Sequence, residues 1–363
     1  MKQMIHIVGI VGVPSKYGGF ETLVDYLLES RKIQANGCKV YCEASVISKN
    51  GEKYKGAQLI PIKLRANGWQ SILFDLCSIW LACREGGKVL ILGTSATFSI
   101  PIFRLLFPEV CFIVNMAGLE WSRDKWGFFT RIYLKFNEKV AAKHSHKFIT
   151  DNEGLKAYIK EEYNKDSTMI PYGGDQFLDA VSNPEIFEEY DLPENFDFAM
   201  ARAQIDNNLE MILSAYAKSG LELVYVSNWK SSSFGIEMYE KFANIPNLHL
   251  IGPIYDISKI KALYLKTKCY VHGHSAGGTN PVLVESMWAK LPVIAYDVSF
   301  NRFTTHNKAY YFSSTDELIR ITQKMTTEMR SYCAENLFSI AQKKYKWEHI
   351  LSSYESVLFD GGN

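Results

Sequence analysis

Short apolar runs alternate with stretches of helical periodicity along nearly all of this 363-residue chain, and no other feature narrows its fold as much. In the first half, strands are expected at 4–10, 38–43, 58–63, 88–93, 110–115, 146–150 and 167–171. Helices are expected there at 19–35, 69–85, 97–107, 127–143 and 152–162. The second half repeats the scheme, with strands at 196–201, 222–227, 248–251, 269–272, 292–296 and 309–312 and helices at 206–219, 234–243, 256–266, 279–290 and 315–328. Such alternation predicts an α/β chain with two doubly wound parallel sheets, each covered by helices on both faces. The length also exceeds what one core usually serves. The polar, Gly- and Pro-containing stretch from Pro171 to Pro193 separates the halves, which gives domains 1–175 and 176–339. A last helix at about 332–359 is expected to carry residues 340–363 back onto the first domain. Two such sheets imply a cleft, with ligands at the carboxyl ends of strands.

Composition removes several function classes. With 47% apolar and 22% charged residues and a formal net charge of +1, the chain is neither disordered nor a bulk nucleic-acid binder. The charge is unevenly divided, because residues 1–175 hold 23 Lys+Arg against 17 Asp+Glu and the remainder holds 17 against 22. A basic first half can face an anionic partner, such as acidic lipid headgroups or a phosphorylated acceptor, and ordinary scatter gives the same count. Seven cysteines without a C-x-x-C pair fit buried thiols in a cytoplasmic protein. No run reaches about 18 uninterrupted apolar residues, so any membrane contact is expected to be peripheral.

The densest chemistry lies between His272 and Met287, where a Gly-rich turn runs from an apolar strand straight into an amphipathic helix. A helix N-terminus there offers unpaired N–H groups and a positive dipole end to an anion. Gly277 and Gly278 leave backbone bare, Thr279 or Asn280 can cap the helix, and Pro281 suits its first turn. Glu285, one turn further in, puts a carboxylate beside the same ligand, a pairing suited to the phosphates and ribose of a nucleotide. His272 and His274 flank Gly273, but no carboxylate or cysteine stands at ligand spacing, which argues against a metal. One of the two instead bonds the sugar or organises the loop.

A second Gly-rich turn follows the first strand, with Gly18 and Gly19 opening a helix. The loop from Asn115 to Trp126 gathers Glu120, Trp121, Arg123 and Trp126. It reads either as a surface ion pair of Glu120 with Arg123 or as the wall of an acceptor pocket, where indoles stack on sugar rings and carboxylates take hydroxyl protons. The helix from Trp126 to Phe136 mixes aromatic and basic residues, as a packed helix with a solvated face or a membrane-surface helix does. Arg202 and Lys230 follow the first two strands of the second half and could offset a leaving diphosphate, or be solvated loop charges.

Several motifs in order along residues 5 to about 312 resemble one family. They are Tyr17-Gly18-Gly19-Phe20-Glu21-Thr22, Gly118-Leu119-Glu120-Trp121 with Lys125-Trp126, Asp151-Asn152-Glu153-Gly154, Tyr172-Gly173-Gly174-Asp175, Asn207-Asn208, Ile254-Tyr255-Asp256 and the run His272–Pro281. Together they resemble the rhamnosyltransferase-like branch of the family 4 retaining glycosyltransferases, with a DUF1972-type first domain. The resemblance implies a GT-B fold of two Rossmann-like domains, with a nucleotide-diphosphate sugar held mainly by the second. It implies retaining hexosyl transfer without a metal or other cofactor. L-rhamnose from dTDP-rhamnose is the implied donor, and a lipid-linked or oligosaccharide acceptor serves bacterial surface polysaccharide at the inner face of the cytoplasmic membrane. Carried across, Glu285 looks like the ribose-binding glutamate, Arg202 like the diphosphate-binding arginine, and Gly18 and Gly19 like glycines that approach the donor phosphates. Catalytic roles fall to Glu120, Arg202 and His274; donor contacts to Gly18, Gly19, Arg202, Lys230, Gly277, Gly278, Thr279, Asn280 and Glu285; the acceptor side to Glu120, Trp121, Arg123 and Trp126. The chain departs from the pattern at Val11, at Ala117, at Ile205-Asp206, where relatives carry Pro-Glu before the two asparagines, and at Gly277, where relatives carry a glutamate. The alternative, favoured by Ala117 and Val11, is a catalytically impaired sugar-nucleotide-binding or assembly subunit of the same fold.

Overall fold

The computed structural model describes residues 4–14, 18–47, 52–116, 118–123 and 125–360. Tyr17 and Ala117, both singled out above, lie outside them. The chain divides into two units. One comprises Met1–Ser122, Trp126–Pro171 and Glu348–Asn363, the other Arg123–Lys125 and Tyr172–Trp347. Apart from the short excursion Arg123–Lys125, the chain passes between the units at Pro171/Tyr172, four residues before the position read in the sequence, and at Trp347/Glu348, eight residues after the position read there.

The first unit is an eight-stranded sheet built from β1 (Ile5–Val8), β2 (Cys38–Glu43), β3 (Lys53–Tyr54), β4 (Ala57–Ile62), β5 (Lys88–Leu92), β6 (Cys111–Asn115), β7 (Lys147–Thr150) and β8 (Thr168–Met169). Their order is β3-β4-β2-β1-β5-β6-β7-β8, and only the β3–β4 pair is antiparallel. Every residue of β1 is buried, which suits a central strand covered on both faces. His6, the polar exception in β1, is satisfied by the Tyr41 hydroxyl at 3.1 Å and the Gly86 carbonyl at 3.0 Å. The last helix, Trp347–Phe359, joins this unit from Glu348 onward. Asn115 donates to the Tyr354 hydroxyl, Ser30 donates to Glu355 at 2.6 Å, and Lys147 reaches the Val357 carbonyl at 2.6 Å.

The second unit is a six-stranded, wholly parallel sheet of β9 (Asp197–Met200), β10 (Leu223–Val226), β11 (Leu248–Ile251), β12 (Tyr270–His272), β13 (Val293–Tyr296) and β14 (Tyr310–Phe312). Its order is β11-β10-β9-β12-β13-β14. Two apolar clusters cover its faces. One is built on Phe198, Tyr264, Leu283 and Met287, the other on Leu213, Tyr216, Tyr225 and Ile294. The strand order reverses between β9 and β12, so this switch point opens where both strands end.

Three expected helices are broken. The helix expected at 19–35 is two, Gly19–Leu27 and Arg31–Asn36, because the Ser30 hydroxyl caps a new start by accepting from the Ile33 N–H at 3.1 Å. The helix expected at 206–219 opens as a single tight turn, Ile205–Asn207, and starts afresh at Leu209 after Asn208 takes a left-handed φ of 49°. The helix expected at 332–359 ends at Lys344 and resumes at Trp347, close to the passage between the units.

Candidate functional site

At the switch point of the second sheet, β12 delivers the loop 273–280 and β9 delivers the turn 201–208. Three side chains lace the two segments together. Asn208 donates to the Gly273 carbonyl at 2.8 Å, both the Ser275 N–H and its hydroxyl donate to the Asp206 carbonyl at 2.8 and 2.9 Å, and Asn207 bonds His274 Nδ1 at 2.7 Å. The backbones pass so close that a Cβ on Gly273 would lie 2.0 Å from the Asn207 carbonyl oxygen. His274 is thus anchored as an organiser of the loop, with its carbonyl accepting from Asn301 at 2.8 Å. Gly277 has φ +121°, which L side chains rarely adopt, and a Cβ there would come within 2.9 Å of His274 Nε2. The glycine is therefore demanded by the backbone and by the histidine.

Of the two candidate caps, Asn280 is the one that acts: its side chain accepts from the Val282 N–H at 3.0 Å, and Pro281 opens the helix Pro281–Trp288. That helix is shorter than the 279–290 expected, because buried Thr279 stays in the loop, Asn280 is the cap, and Ala289 ends the helix before Lys290 turns left-handed at φ 57°. His272 is buried inside β12, its Nε2 has no hydrogen-bond partner, and burial holds its pKa well below the ordinary value, so it is a neutral imidazole. Among the described residues no cluster of three or more His, Cys, Asp or Glu side chains could hold a metal.

Glu285, one turn into the helix, accepts from Gln176 Nε2 at 2.8 Å. Burial pushes its carboxyl up to about 7, against the lowering effect of Gln176. Gln176 is itself held by the indole N–H of Trp347, which donates to its Oε1 at 2.7 Å, while the Trp347 backbone N–H donates to Asp175 at 2.8 Å. The Tyr172-Gly173-Gly174-Asp175 motif makes this possible. A Cβ on Gly173 would lie 2.5 Å from the Trp347 ring, and one on Gly174 would lie 2.7 Å from Val284 and 3.2 Å from the Glu285 nitrogen. The carboxylate thus stands at the end of a relay, Trp347 to Gln176 to Glu285.

Arg202 follows β9 directly and is exposed, with its carbonyl accepting from Asn207 Nδ2 at 2.8 Å. Lys230 is also exposed, on a turn fixed by buried Trp229, whose indole donates to the Ile251 carbonyl at 2.7 Å. Arg123 groups with this second unit. It bonds Asp206 Oδ2 and Gln204 Oε1, each at 2.7 Å, a polar anchorage on the 204–206 turn that neither sequence reading of the Glu120 loop anticipates.

In the first unit, Gly18 caps the helix Gly19–Leu27 with φ 103°, and the Glu21 carboxylate folds back to accept from the Val11 N–H at 3.0 Å. An acid therefore already sits at this helix start, and a Cβ on Gly18 would lie 2.1 Å from it. Glu120 accepts from the Trp126 indole at 3.1 Å. The Trp121 ring lies under the Lys135 ammonium, 4.6 Å from its centroid. Buried Glu138 beneath it accepts from the Tyr158 and Tyr163 hydroxyls at 2.6 and 2.7 Å. Sequence reading passed over Asp75, a buried carboxylate in the helix Ser71–Glu85, which accepts from the Ser95 hydroxyl just beyond β5. Burial pushes it up to about 7, against that hydrogen bond.

Residues 2–175 match the model of a domain of unknown function, DUF1972. No curated protein sequence matches the chain. Among solved structures, sucrose-phosphate synthase from Thermosynechococcus elongatus is similar over 98% of both chains at 16% identity and a TM-score of 0.80. An Anabaena protein, HepE, in complex with UDP and glucose is similar over 98% of this chain and 99% of its own, at 13% identity and a TM-score of 0.74. WaaG, a glycosyltransferase involved in lipopolysaccharide biosynthesis, is similar over 99% of this chain and 100% of its own, at 15% identity and 0.72. These likenesses give the fold as GT-B.

Proposed function

From a GT-B fold whose first domain matches DUF1972, we propose that the protein is a retaining glycosyltransferase that takes a hexose from a nucleotide-diphosphate sugar. One observation carries the reading. The β12 loop, with bare Gly277 and Gly278 and the Asn280-capped helix start, stands beside the Glu285 carboxylate at the switch point of the second sheet. The helix start suits the diphosphate and the carboxylate suits the ribose hydroxyls. The anion is met by exposed Arg202 and Lys230, which lie after β9 and β10 and would offset the charge of the departing diphosphate. His274, locked to Asn207, holds the loop in shape and turns its other ring nitrogen toward Gly277.

In this reading transfer proceeds on the front face of the sugar, and the leaving phosphate oxygen takes the acceptor proton, so neither a covalent nucleophile nor a metal is required. Glu120, Trp121 and Trp126 supply the acceptor side. L-rhamnose from dTDP-rhamnose, moved to a lipid-linked or saccharide acceptor of bacterial surface polysaccharide, is the specific reaction proposed, on the strength of the motif resemblance.

The test is a panel of dTDP-, UDP- and GDP-sugars followed by NMR for nucleotide release and for the anomeric configuration of any product. Release of one nucleoside diphosphate with a retained anomer is expected. Tight nucleotide binding with no release from any donor and acceptor would favour the impaired binding subunit instead. An inverted product would contradict the mechanism.

A further inference from the structure

Two helices of the first unit carry an apolar face with no partner among the described residues. The helix Phe128–His144 exposes Phe128, Phe129, Ile132 and Phe136, each more than half accessible, with Phe129 at 84%. Its neighbour, Ile100–Leu106, exposes Ile102, Leu105 and Leu106, with Leu105 at 84%. The two pack together, and Arg104 of the shorter helix donates to the His144 carbonyl at the end of the longer at 2.7 Å. They connect β5 to β6 and β6 to β7, adjacent parallel strands, so right-handed crossovers put both on one side of the sheet. Trp80 of the preceding helix meets Phe103 in a tilted contact and Phe107 edge-on, and extends the aromatic surface. A soluble monomer rarely leaves so many large apolar side chains together in water.

Charge decides what covers them. The exposed stripe Phe129, Ile132, Phe136 continues at helical spacing into Lys139 and Lys143, both exposed. Arg104, Arg131 and Lys135 complete five basic residues on the two helices. The single acid there, Glu138, is buried and taken up by Tyr158, Tyr163 and Lys135. Bulky apolar groups at one end of a helix and the exposed Lys139 and Lys143 further along it suit a bilayer surface with anionic headgroups, where rings enter the acyl boundary and lysines meet phosphates. A second copy of the same face would set lysine against lysine.

We infer that the protein docks peripherally on anionic membranes through this face, with Phe128, Phe129, Ile132 and Phe136 inserting and Lys139 and Lys143 pairing with lipid phosphates. Docking does not depend on the transfer reaction, and it brings a lipid-linked acceptor to the enzyme in the plane where such acceptors reside.

The full-length protein is sedimented with phosphatidylcholine vesicles, with and without phosphatidylglycerol, at low and high salt, in the absence of any nucleotide. Binding to the anionic vesicles and its loss at high salt are expected. The exposed double variants Phe128→Ser/Phe129→Ser and Lys139→Glu/Lys143→Glu should each lower vesicle affinity at least about tenfold. Both should keep the wild-type melting temperature and nucleotide response, which separates a failure of docking from a failure of the proposed reaction. Absence of wild-type binding, or equal binding by wild type and both variants, overturns the inference. So does a wild-type dimer in analytical ultracentrifugation that Phe128→Ser/Phe129→Ser disperses, because a second copy then covers the face.

Discussion

Glu285 is the residue on which the proposed chemistry turns, and its environment gives it opposite pH signatures in two measurements. Burial raises its carboxyl to about 7, above the ordinary glutamate value. The protonated form therefore favours folding, and that contribution is present at low pH and lost as pH rises through about 7. In the proposed site the ribose hydroxyls donate to the ionised carboxylate, so nucleotide affinity should run the other way. Calorimetric titration of a nucleoside diphosphate should show Kd rising by up to about tenfold per pH unit below 7. Glu285→Gln should flatten both the stability and the affinity profiles; an unaltered affinity profile would remove Glu285 from the ribose. The buried Tyr264 and Tyr270 rings nearby stay neutral throughout this range, their pKa values raised by burial. Gly174 makes a separate, purely steric prediction. Gly174→Ala drives a methyl against Val284 and the Glu285 nitrogen and should cost about 1–3 kcal/mol, read as a lowered Tm. The Gly-Gly-Thr-Asn-Pro run made Asn280, Pro281 and Glu285 legible in the sequence because cap, first turn and carboxylate are fixed by local helix geometry. Asn207 and Gln176 were not assigned roles, since their contacts to His274 and Glu285 span 67 and 109 residues.

At the scale of elements, the relay from Trp347 through Gln176 to Glu285 ties the helix Pro281–Trp288 to the segment on which the chain leaves the second unit. Trp347→Phe keeps a ring over Gly173 but removes the N–H that orients Gln176. It should raise nucleotide Kd about fivefold, the worth of one hydrogen bond of about 1 kcal/mol, with the fold intact by circular dichroism. A double-mutant cycle with Gln176→Leu checks the coupling: if the two effects simply add, the relay is not a unit. The alternation of strands and helices was plain because each element carries its own periodicity. The helix breaks at Ser30, Asn208 and Tyr345 were not, because no proline or glycine marks them and a cap or a left-handed residue does the work. The short helices Glu185–Glu189 and Ser299–Thr304 are too brief for a period to declare itself.

The molecule as a whole is a GT-B chain of two units, and the proposed division of labour between them sets separable tests. The proposed nucleotide site lies in the second unit and the inferred membrane face in the first, so losses in one should leave the other untouched. Doubly wound sheets were readable from pattern alone, and the function class came from motifs whose order runs through both halves. The sugar and base were not readable, since no motif along the chain specifies either. The most direct test is a thermal-shift series with UDP, dTDP and GDP on wild type and Glu285→Ala. One nucleoside diphosphate, at about 100 times its Kd, should stabilise the wild type by about 2.7 kcal/mol, a shift of several degrees, and have no effect on Glu285→Ala. No shift with any of the three, or the same shift in both proteins, would contradict a nucleotide-sugar site built on Glu285.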